Sequence, residues 1–444
     1  MSLSDVAATG GHFDALLRKL WRRPRQIVRA LPPEVWCASL LDHLAHGYDC
    51  LQTARLSAAT PMPSDRATLA RTLLHVFDVF ESDPLPRPTL ARLRHALEIA
   101  PVAVVQVMPV GCAAGFDPSH LATLLTGAGI RVSCTGWGPG RRGLVAMCDH
   151  AAAPGFEPAP DNFRVLAIVK AYNEADIIVP SLRYLISQGI DVYLVDNWSD
   201  DGTWELVQPF IGRGVVGAER YPVRDESRYG WRGLLERTEE IARTVPADWY
   251  IHYDVDEVRR SPWPQLRLKD AIHRVDRSGF NAIDHTVLNF HPVDDGYCPP
   301  EDFESYFRHF EFSRRRGSFV QIKAWKHTPA DVSLTDSGGH EVRFAGRKVY
   351  PLKFLLKHYP VRSQAHGLRK VLHERVARWD PVERAGGWHT QYDHVGPTHR
   401  FIRAPETLVR FDPDHFDTTY LIERLSGIGL EQEAVHAPRA DVLS

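Results

Sequence analysis

Acidic side chains are concentrated at Asp254-Val255-Asp256-Glu257, directly after the apolar run WYIHY at residues 249–253. Carboxylates at positions i and i+2 of a strand point to opposite faces, but a turn at that point can bring both to one cation. Mg²⁺ or Mn²⁺ bound by one or two carboxylates keeps coordination positions open for phosphate oxygens. A D-x-D sequence also occurs in surface turns. The apolar run instead favours a buried strand end, where carboxylates without a cation are costly.

A second polar turn, DNWSDDGT at residues 196–203, follows the apolar run IDVYLV. Carboxylates and amides in such a turn can accept hydrogen bonds from a nucleobase N–H or a ribose hydroxyl. The alternative is an Asx turn with an N-cap for a helix that begins near Thr203. We expect Asp196 to face a ligand and Asp200 or Asp201 to cap the helix.

Basic residues follow a third apolar run, in the segment HYPVRSQAHGLRK at residues 358–370. Neutral imidazole is an acceptable ligand for Mn²⁺, and guanidinium or ammonium groups bind phosphates. His358 is therefore a candidate metal ligand, with Arg362 and Lys370 as candidate phosphate contacts. A structural role for His358 is the alternative.

The elements that must position these residues follow from the hydrophobic pattern. RVLAIVKAY, IDVYLVDN and DWYIHYD are typical of buried strands, and ADIIVPSLRYLISQG and GLLERTEEIARTV of amphipathic helices. Strands separated by helical segments predict parallel βαβ units in an α/β domain. The functional groups would then lie at the carboxyl ends of the strands, where open α/β sheets bind ligands.

Together, AYNE, VDNWSDDGT and WYIHYDVDE resemble, in their order and spacing, the family 2-like glycosyltransferases of the GT-A fold. The resemblance covers residues 163–257 best and extends to a domain of about residues 161–411. It implies a nucleotide-diphospho-sugar donor, a divalent metal ion (Mn²⁺ or Mg²⁺), a hydroxyl-bearing acceptor and inversion at the anomeric carbon.

The resemblance also implies roles for single residues. The donor-binding turn would contain Ala171, Tyr172 and Glu174, and Asp196 would contact the base or ribose. Asp254 and Asp256 would contact ribose and metal, His358 would be a further metal ligand, and Arg362 and Lys370 would lie near the diphosphate. Asn197 and Trp198 stand where the family turn has a second aspartate and a glycine, which leaves the nucleotide open.

An inverting transfer needs a carboxylate that takes the proton of the acceptor hydroxyl. Four carboxylates lie in the plausible acceptor region: Asp294, Asp295, Asp336 and Glu341. We single out Asp336 and Glu341, because DSGGHEV has two glycines and could form a loop that closes over the substrates. The same segment could be a hairpin turn.

Two other functions remain open from the sequence. A nucleotidyltransferase also places carboxylates and a metal ion at strand ends, but it ordinarily has a glycine-rich, basic loop after the first strand, which AYNEADI lacks. The other alternative is an inactive nucleotide- or carbohydrate-binding module.

The region before residue 150 has a different pattern. Residues 1 to about 60 are typical of helices, and residues 73–149 alternate between strand and helix patterns. Residues 70–150 resemble the back half of a class I methyltransferase-like Rossmann domain. No glycine-rich turn for a cofactor precedes Leu73. We therefore expect a smaller, degenerate α/β domain.

Composition limits the remaining choices. With 53 basic and 55 acidic residues and a formal net charge of -2, nothing indicates nucleic-acid binding. The six scattered cysteines suggest a reducing compartment, and no transmembrane segment is evident. We expect a cytoplasmic protein, and the sequence leaves peripheral membrane contact open. Its domains would be residues 1–150, a linker at 151–161, a glycosyltransferase-like domain at 162–411 and a tail at 412–444.

Overall fold

The computed structural model describes most of the chain between residues 52 and 411. The described ranges are 52–56, 66–69, 72–80, 84–100, 102–109, 116–137, 144–149, 157–223, 229–263, 266–299, 302–312, 321–386 and 388–411. The chain divides into two compact units, whose described residues lie in 52–149 and 157–411. The expected tail, the first part of the expected linker and most of the expected N-terminal helices lie outside the described residues.

The first unit contains a five-stranded sheet. Its strands are β1 (Gln52–Leu56), β2 (Thr72–Phe80), β3 (Val102–Pro109), β4 (Val132–Trp137) and β5 (Leu144–Asp149), and its helices are α1 (Arg66–Leu69), α2 (Arg87–Ala96) and α3 (Pro118–Gly127). The strand order is β1-β2-β3-β5-β4, with β1, β2 and β3 parallel and β5 antiparallel to both of its neighbours. The predicted alternation of strands and helices between residues 73 and 149 is confirmed. The expected helix before residue 60 is wrong at β1, which pairs with β2 at the edge of the sheet.

The second unit is mixed α/β. Its strands are β6 (Val165–Ala171), β7 (Asp191–Asp196), β8 (Val215–Arg220), β9 (Trp249–Asp254), β10 (Glu257–Arg260), β11 (Ala282–Phe290), β12 (His309–Phe312), β13 (Ala324–Lys326), β14 (Val349–His358) and β15 (Val409–Arg410). Its α-helices are α4 (Ile178–Ser187), α5 (Thr203–Val207), α6 (Trp231–Thr244), α7 (Leu268–Arg277), α8 (Phe303–Tyr306), α9 (Gln364–Leu368) and α10 (Pro381–Ala385). A π-helical segment spans Arg369–Arg375, and short 3-10 turns span Gln208–Phe210, Thr335–Ser337, Val376–Arg378, Thr390–Tyr392 and Pro405–Thr407.

The main path of the sheet in the second unit is β10-β14-β11-β13-β9-β6-β7-β8. Strands β9, β6, β7 and β8 are parallel, as the βαβ pattern predicts. The order after β9 could not be derived from periodicity, because β13 inserts antiparallel between β9 and β11. All seven residues of β6 are buried, which explains its continuous apolar pattern.

Helices cover this sheet through their apolar sides. In α6 the buried positions Leu234, Leu235, Thr238 and Ile241 recur at helical spacing. The turn between β9 and β10 reverses the chain at Val255-Asp256, so that Asp256 lies outside the strand that ends at Asp254. None of the described helices combines the length and apolarity that crossing a lipid bilayer requires.

Candidate functional site

The acidic turns meet at one edge of the second sheet. In the parallel ladder, Lys170 of β6 pairs with Asp254 of β9, and Ala171 of β6 pairs with Asp196 of β7. The last residue of β14, His358, pairs with Glu257 at the start of β10. The predicted convergence of these strand ends is confirmed by this register.

Asp254 is bound by two lysines. Its Oδ1 lies 2.9 Å from Lys170 Nζ, and its Oδ2 lies 3.0 Å from Lys323 Nζ. Burial alone would raise the pKa of Asp254, but the two ammonium groups hold it well below its usual range. The carboxylate is therefore ionised and already neutralised by side chains of this chain.

Lys170 is unusual because it lies within a buried strand. Its Nζ lies 2.8 Å from His252 Nε2 and 4.8 Å from the centre of the Trp231 ring. Burial lowers the pKa of Lys170 to about 8, although Asp254 opposes the shift. Burial and the neighbouring Lys170 charge lower the pKa of His252, so this imidazole is neutral.

Asp256 belongs to a second ionic cluster. Lys370 Nζ lies 2.8 Å from Asp256 Oδ2 and 2.9 Å from Glu174 Oε1. Burial opposes ionisation of Asp256, but Lys370 and then His358 lower its pKa. The same two carboxylates raise the pKa of Lys370 against its burial. All three groups are charged at neutral pH.

His358 faces Asp256 with its second ring nitrogen. Its Nδ1 lies 2.9 Å from Asn289 Oδ1, and its Nε2 lies 3.8 Å from Asp256 Oδ2. If Nδ1–H donates to the Asn289 amide oxygen, Nε2 is left to hold a proton or a metal ion. A hydrogen bond from the other ring nitrogen is the usual support of a metal-binding histidine.

These groups line a cavity of about 530 Å³. Of the predicted site residues, eight line it: Ala171, Tyr172, Glu174, Asp254, Asp256, Asp336, His358 and Lys370. Within the described ranges, no group of three or more His, Cys, Asp or Glu side chains is arranged to hold a metal ion. Asp256 and His358 form a two-residue donor set. Because Asp256 Oδ2 also accepts from Lys370 at 2.8 Å, a divalent cation there would share this carboxylate with the lysine and take its other ligands from phosphate oxygens and water.

Asp196, expected to face a ligand, is directed into its own turn instead. Its side chain is buried, and its oxygens accept from Ser199 N at 3.0 Å and from Ser199 Oγ at 2.5 Å. Burial raises the pKa of Asp196. From this turn it is Asn197 that reaches the cavity. Asp201 accepts from Thr203 N at 3.0 Å, but the N-cap position of α5 is Gly202, and no side chain caps the helix there.

Arg362 and Glu341 are also placed differently from the expectation. Arg362 is 1% exposed and forms ion pairs with Glu174 and Asp176, so it orients Glu174 instead of meeting a diphosphate. Glu341 forms an ion pair with Arg347 at 2.7 Å, and its side chain is not among the cavity-lining groups.

Asp336 lies in the cavity on the turn Thr335–Ser337 and is exposed. The loop after it is fixed: Trp231 Nε1 donates to the Gly338 carbonyl at 2.9 Å. Gly339 has φ +87°, and an added Cβ would approach Leu235 Cδ2 to 2.9 Å. The double glycine therefore allows a tight packed turn, which contrasts with the expected flexible loop.

Several cavity residues were not found from the sequence. Lys170 could have been noticed as the one charged residue of LAIVKA. The aromatic residues Trp379, Trp388 and Tyr392 also line the cavity, but they come from a loop-rich segment without periodicity. Only long-range packing brings them to the site.

The Glu174 carboxylate leads us to predict how the free energy of unfolding depends on pH in acid. Burial alone would raise its pKa, but Arg362 and Lys370 lower it from 4.5 to about 2. Its pairing therefore stabilises the fold fully above pH 4.5, and this contribution is lost as the pH falls towards 2. We expect Glu174→Gln to lower the free energy of unfolding at neutral pH by about 3 kcal/mol and to flatten its pH dependence in that window.

Chemical denaturation at a series of pH values measures this effect. The matched control is Asp191→Asn, which removes a half-exposed pair with Arg164 and should cost less than about 1 kcal/mol. An equally steep loss of stability below pH 4.5 in Glu174→Gln would contradict the assignment.

Comparison with known proteins gives weak similarities. No protein-family model matches the chain. "Uncharacterized protein MJ0544" of Methanocaldococcus jannaschii is 25% identical in an alignment of 134 residues that covers 28% of this chain. The chain spans 58% of the length of that curated relative. These comparisons give no support to the resemblance of residues 70–150 to methyltransferases.

Two solved structures are similar in part. One is S. aureus TarS 1-349 in complex with UDP, with a TM-score of 0.24 and 16% identity over 37% of this chain and 47% of TarS. The other is mannosyl-3-phosphoglycerate synthase from Rubrobacter xylanophilus, with a TM-score of 0.21 and 17% identity over 31% of this chain and 44% of the synthase. Both TM-scores are below 0.5, so the argument for a function rests on the side chains of the cavity.

Proposed function

We propose that the second unit is a metal-dependent glycosyltransferase of the GT-A type, which moves a sugar from a nucleotide-diphospho-sugar to an acceptor hydroxyl. The observation that carries the proposal is the cavity at the carboxyl ends of the parallel strands. It combines the Asp256–His358 pair with two cations, the buried Lys370 and the partly exposed Arg375. A diphosphate needs this combination of positive groups and open metal coordination.

The donor set supports a metal ion bound by Asp256 and His358. A divalent cation there would neutralise charge on the departing diphosphate. Asp254, which the sequence also assigns to the metal, has a lysine at each oxygen. In our proposal it therefore orients Lys170 at the cavity, and Lys323 balances its charge from behind.

The remaining roles follow from position. Tyr172 and Asn197 line the part of the cavity at the ends of β6 and β7 and would contact the nucleoside. Asp336 would take the proton of the acceptor hydroxyl as the new C–O bond forms. The bond from the anomeric carbon to the phosphate oxygen breaks at the same time, and the nucleoside diphosphate leaves with inversion.

Incubation with a panel of UDP-, GDP- and dTDP-sugars tests the proposal. We expect release of one nucleoside diphosphate in the presence of Mn²⁺. This release should stop after EDTA treatment. Pyrophosphate release from a nucleoside triphosphate and a sugar phosphate would instead indicate a nucleotidyltransferase. Saturable binding of a nucleotide sugar without turnover, with or without Mn²⁺, would indicate a binding module.

A further inference from the structure

Part of the cavity wall is aromatic. We define the aromatic wall as the five lining residues Tyr229, Trp231, Trp379, Trp388 and Tyr392. Trp231, Trp379, Trp388 and Tyr392 are partly exposed. Four large, partly exposed rings in one cavity offer a broad face for packing, and the chemistry of phosphate binding does not use them.

The aromatic wall is held in place by one carboxylate. Glu383 accepts from the backbone nitrogens of Trp231 at 3.0 Å and Arg232 at 2.6 Å, at the start of α6. His389 Nε2 lies 2.7 Å from the same carboxylate. Because helix N-termini attract negative charge, this contact fixes the segment of Trp379 and Trp388 against α6. The wall is therefore formed before any ligand arrives.

The wall is joined to the loop of the candidate base. Trp231, which belongs to the wall, donates its indole N–H to Gly338, two residues after Asp336. A general base must lie within hydrogen-bond distance of the acceptor hydroxyl. In the proposed reaction this contact assigns the Trp231 part of the aromatic wall to the acceptor side of the cavity. Lys370, Asp256 and His358 form the donor-phosphate side, and Arg375 connects that side to the wall, 4.3 Å from the Tyr229 ring centre.

The chemistry of the wall selects the kind of acceptor. Cations lie against one face of several rings, with Arg232 5.5 Å from the Trp388 ring centre and Arg384 5.0 Å from that of Trp379. His389 and Tyr392 both stack on Trp379, at 5.4 Å and 13° and at 6.4 Å and 15°. Trp388 packs against the hydrophobic core and meets the edge of His389 at 6.3 Å, but none of the described rings stacks on it, so we take Trp388 as the ring that receives the ligand. A pyranose has an apolar C–H face that packs on an indole, and equatorial hydroxyls that suit polar residues of the same cavity such as Asp336 and Tyr392.

We infer that the acceptor is a saccharide, one ring of which packs on Trp388 within the aromatic wall. This inference rests on the proposed function, since it identifies the acceptor of the same site. A lipid chain would need a continuous apolar groove, whereas the polar side chains of Asp336, Ser337 and His389 line the same cavity.

Ligand-observed saturation-transfer NMR tests the inference without requiring turnover. The probes are methyl glycosides of glucose, galactose, mannose and N-acetylglucosamine together with cellobiose and maltose, all at millimolar concentration. We expect saturation transfer to the ring C–H protons of at least one probe. Binding should weaken about tenfold in Trp388→Leu and much less in Trp388→Phe, because an aromatic face gives stacking that an aliphatic chain of similar bulk lacks.

Trp204→Leu is the matched control, because Trp204 lies on α5 and is not among the cavity-lining residues. UDP and GDP binding, measured on the same samples, reports separately on the donor side and hence on the proposed function. The inference is overturned if no probe binds or if Trp388→Leu binds the probes like the wild type. It is also overturned if Trp388→Leu weakens nucleotide binding and leaves saccharide binding unchanged. Binding of a polyprenyl phosphate in place of every saccharide would also overturn it.

Discussion

Asp256→Asn is expected to slow donor turnover about a thousandfold with little change in fold. Asparagine has the shape of aspartate, but it lacks the charge that faces His358 Nε2 at 3.8 Å and Lys370 Nζ at 2.8 Å. Without that charge the Asp256–His358 pair is a poor donor set for a divalent cation. Lys370 keeps Glu174 as a partner, so the buried ammonium is not left unpaired. The measurement is nucleoside diphosphate release from the preferred nucleotide sugar with Mn²⁺.

Asp191→Asn is the control for the loss of one carboxylate from the same sheet. Asp191 begins β7, and its carboxylate pairs with Arg164, so turnover should stay within about twofold of the wild type. Circular dichroism and thermal unfolding check that Asp256→Asn is folded. A folded Asp256→Asn variant that turns over at the wild-type rate would remove this carboxylate from the chemistry.

The strand ends could be predicted because a short contiguous stretch of sequence specifies each of them. Each of β6, β7 and β9 is a short apolar run followed by a polar turn, and parallel strands bring their carboxyl ends to one edge. The position of His358 was predicted by resemblance, and β14 brings it to the same cavity as Asp256. The sequence therefore locates the site from short segments far apart in the chain.

Side-chain direction could not be predicted in the same way. Asp196 lies at the expected strand end, but Ser199 offers its carboxylate two donors three residues later. Such local side-chain to backbone bonds compete with ligand contacts in every polar turn. Arg362 likewise follows the expected strand, yet Glu174 and Asp176 neutralise it. A list of charged residues near a strand end does not show which charges already have partners.

The aromatic wall depends entirely on long-range contacts. Glu383 bonds to the backbone of Trp231 across a sequence separation of 152 residues, and no hydrophobic period links the two segments. Lys323, the residue directly before β13, reaches Asp254 because β13 inserts between β9 and β11. Sheet order beyond β9 is set by tertiary packing, so these partners had to come from the structure.

The second large effect is expected from Asp336→Asn, which should slow sugar transfer about a hundredfold to ten-thousandfold and leave donor binding unchanged. Asp336 is exposed in the cavity, and its carboxylate is the candidate that takes the acceptor proton. An amide of the same shape cannot accept that proton at neutral pH. The measurements are the transfer rate to a saccharide acceptor and, on the same variant, the dissociation constant of the nucleoside diphosphate.

Glu341→Gln is the matched control, because the two carboxylates were equal candidates in the sequence and Glu341 pairs with Arg347. It should transfer sugar within about threefold of the wild-type rate. Parallel losses of transfer and of nucleotide binding in Asp336→Asn would assign Asp336 to donor binding, and an unchanged transfer rate would place the base elsewhere. The test separates proton transfer from a structural effect, because the position of the loop after Asp336 does not depend on the Asp336 carboxylate. Its position is fixed by the Trp231 bond to Gly338 and by the packing of Gly339, so an altered rate reports on proton transfer and not on a displaced loop.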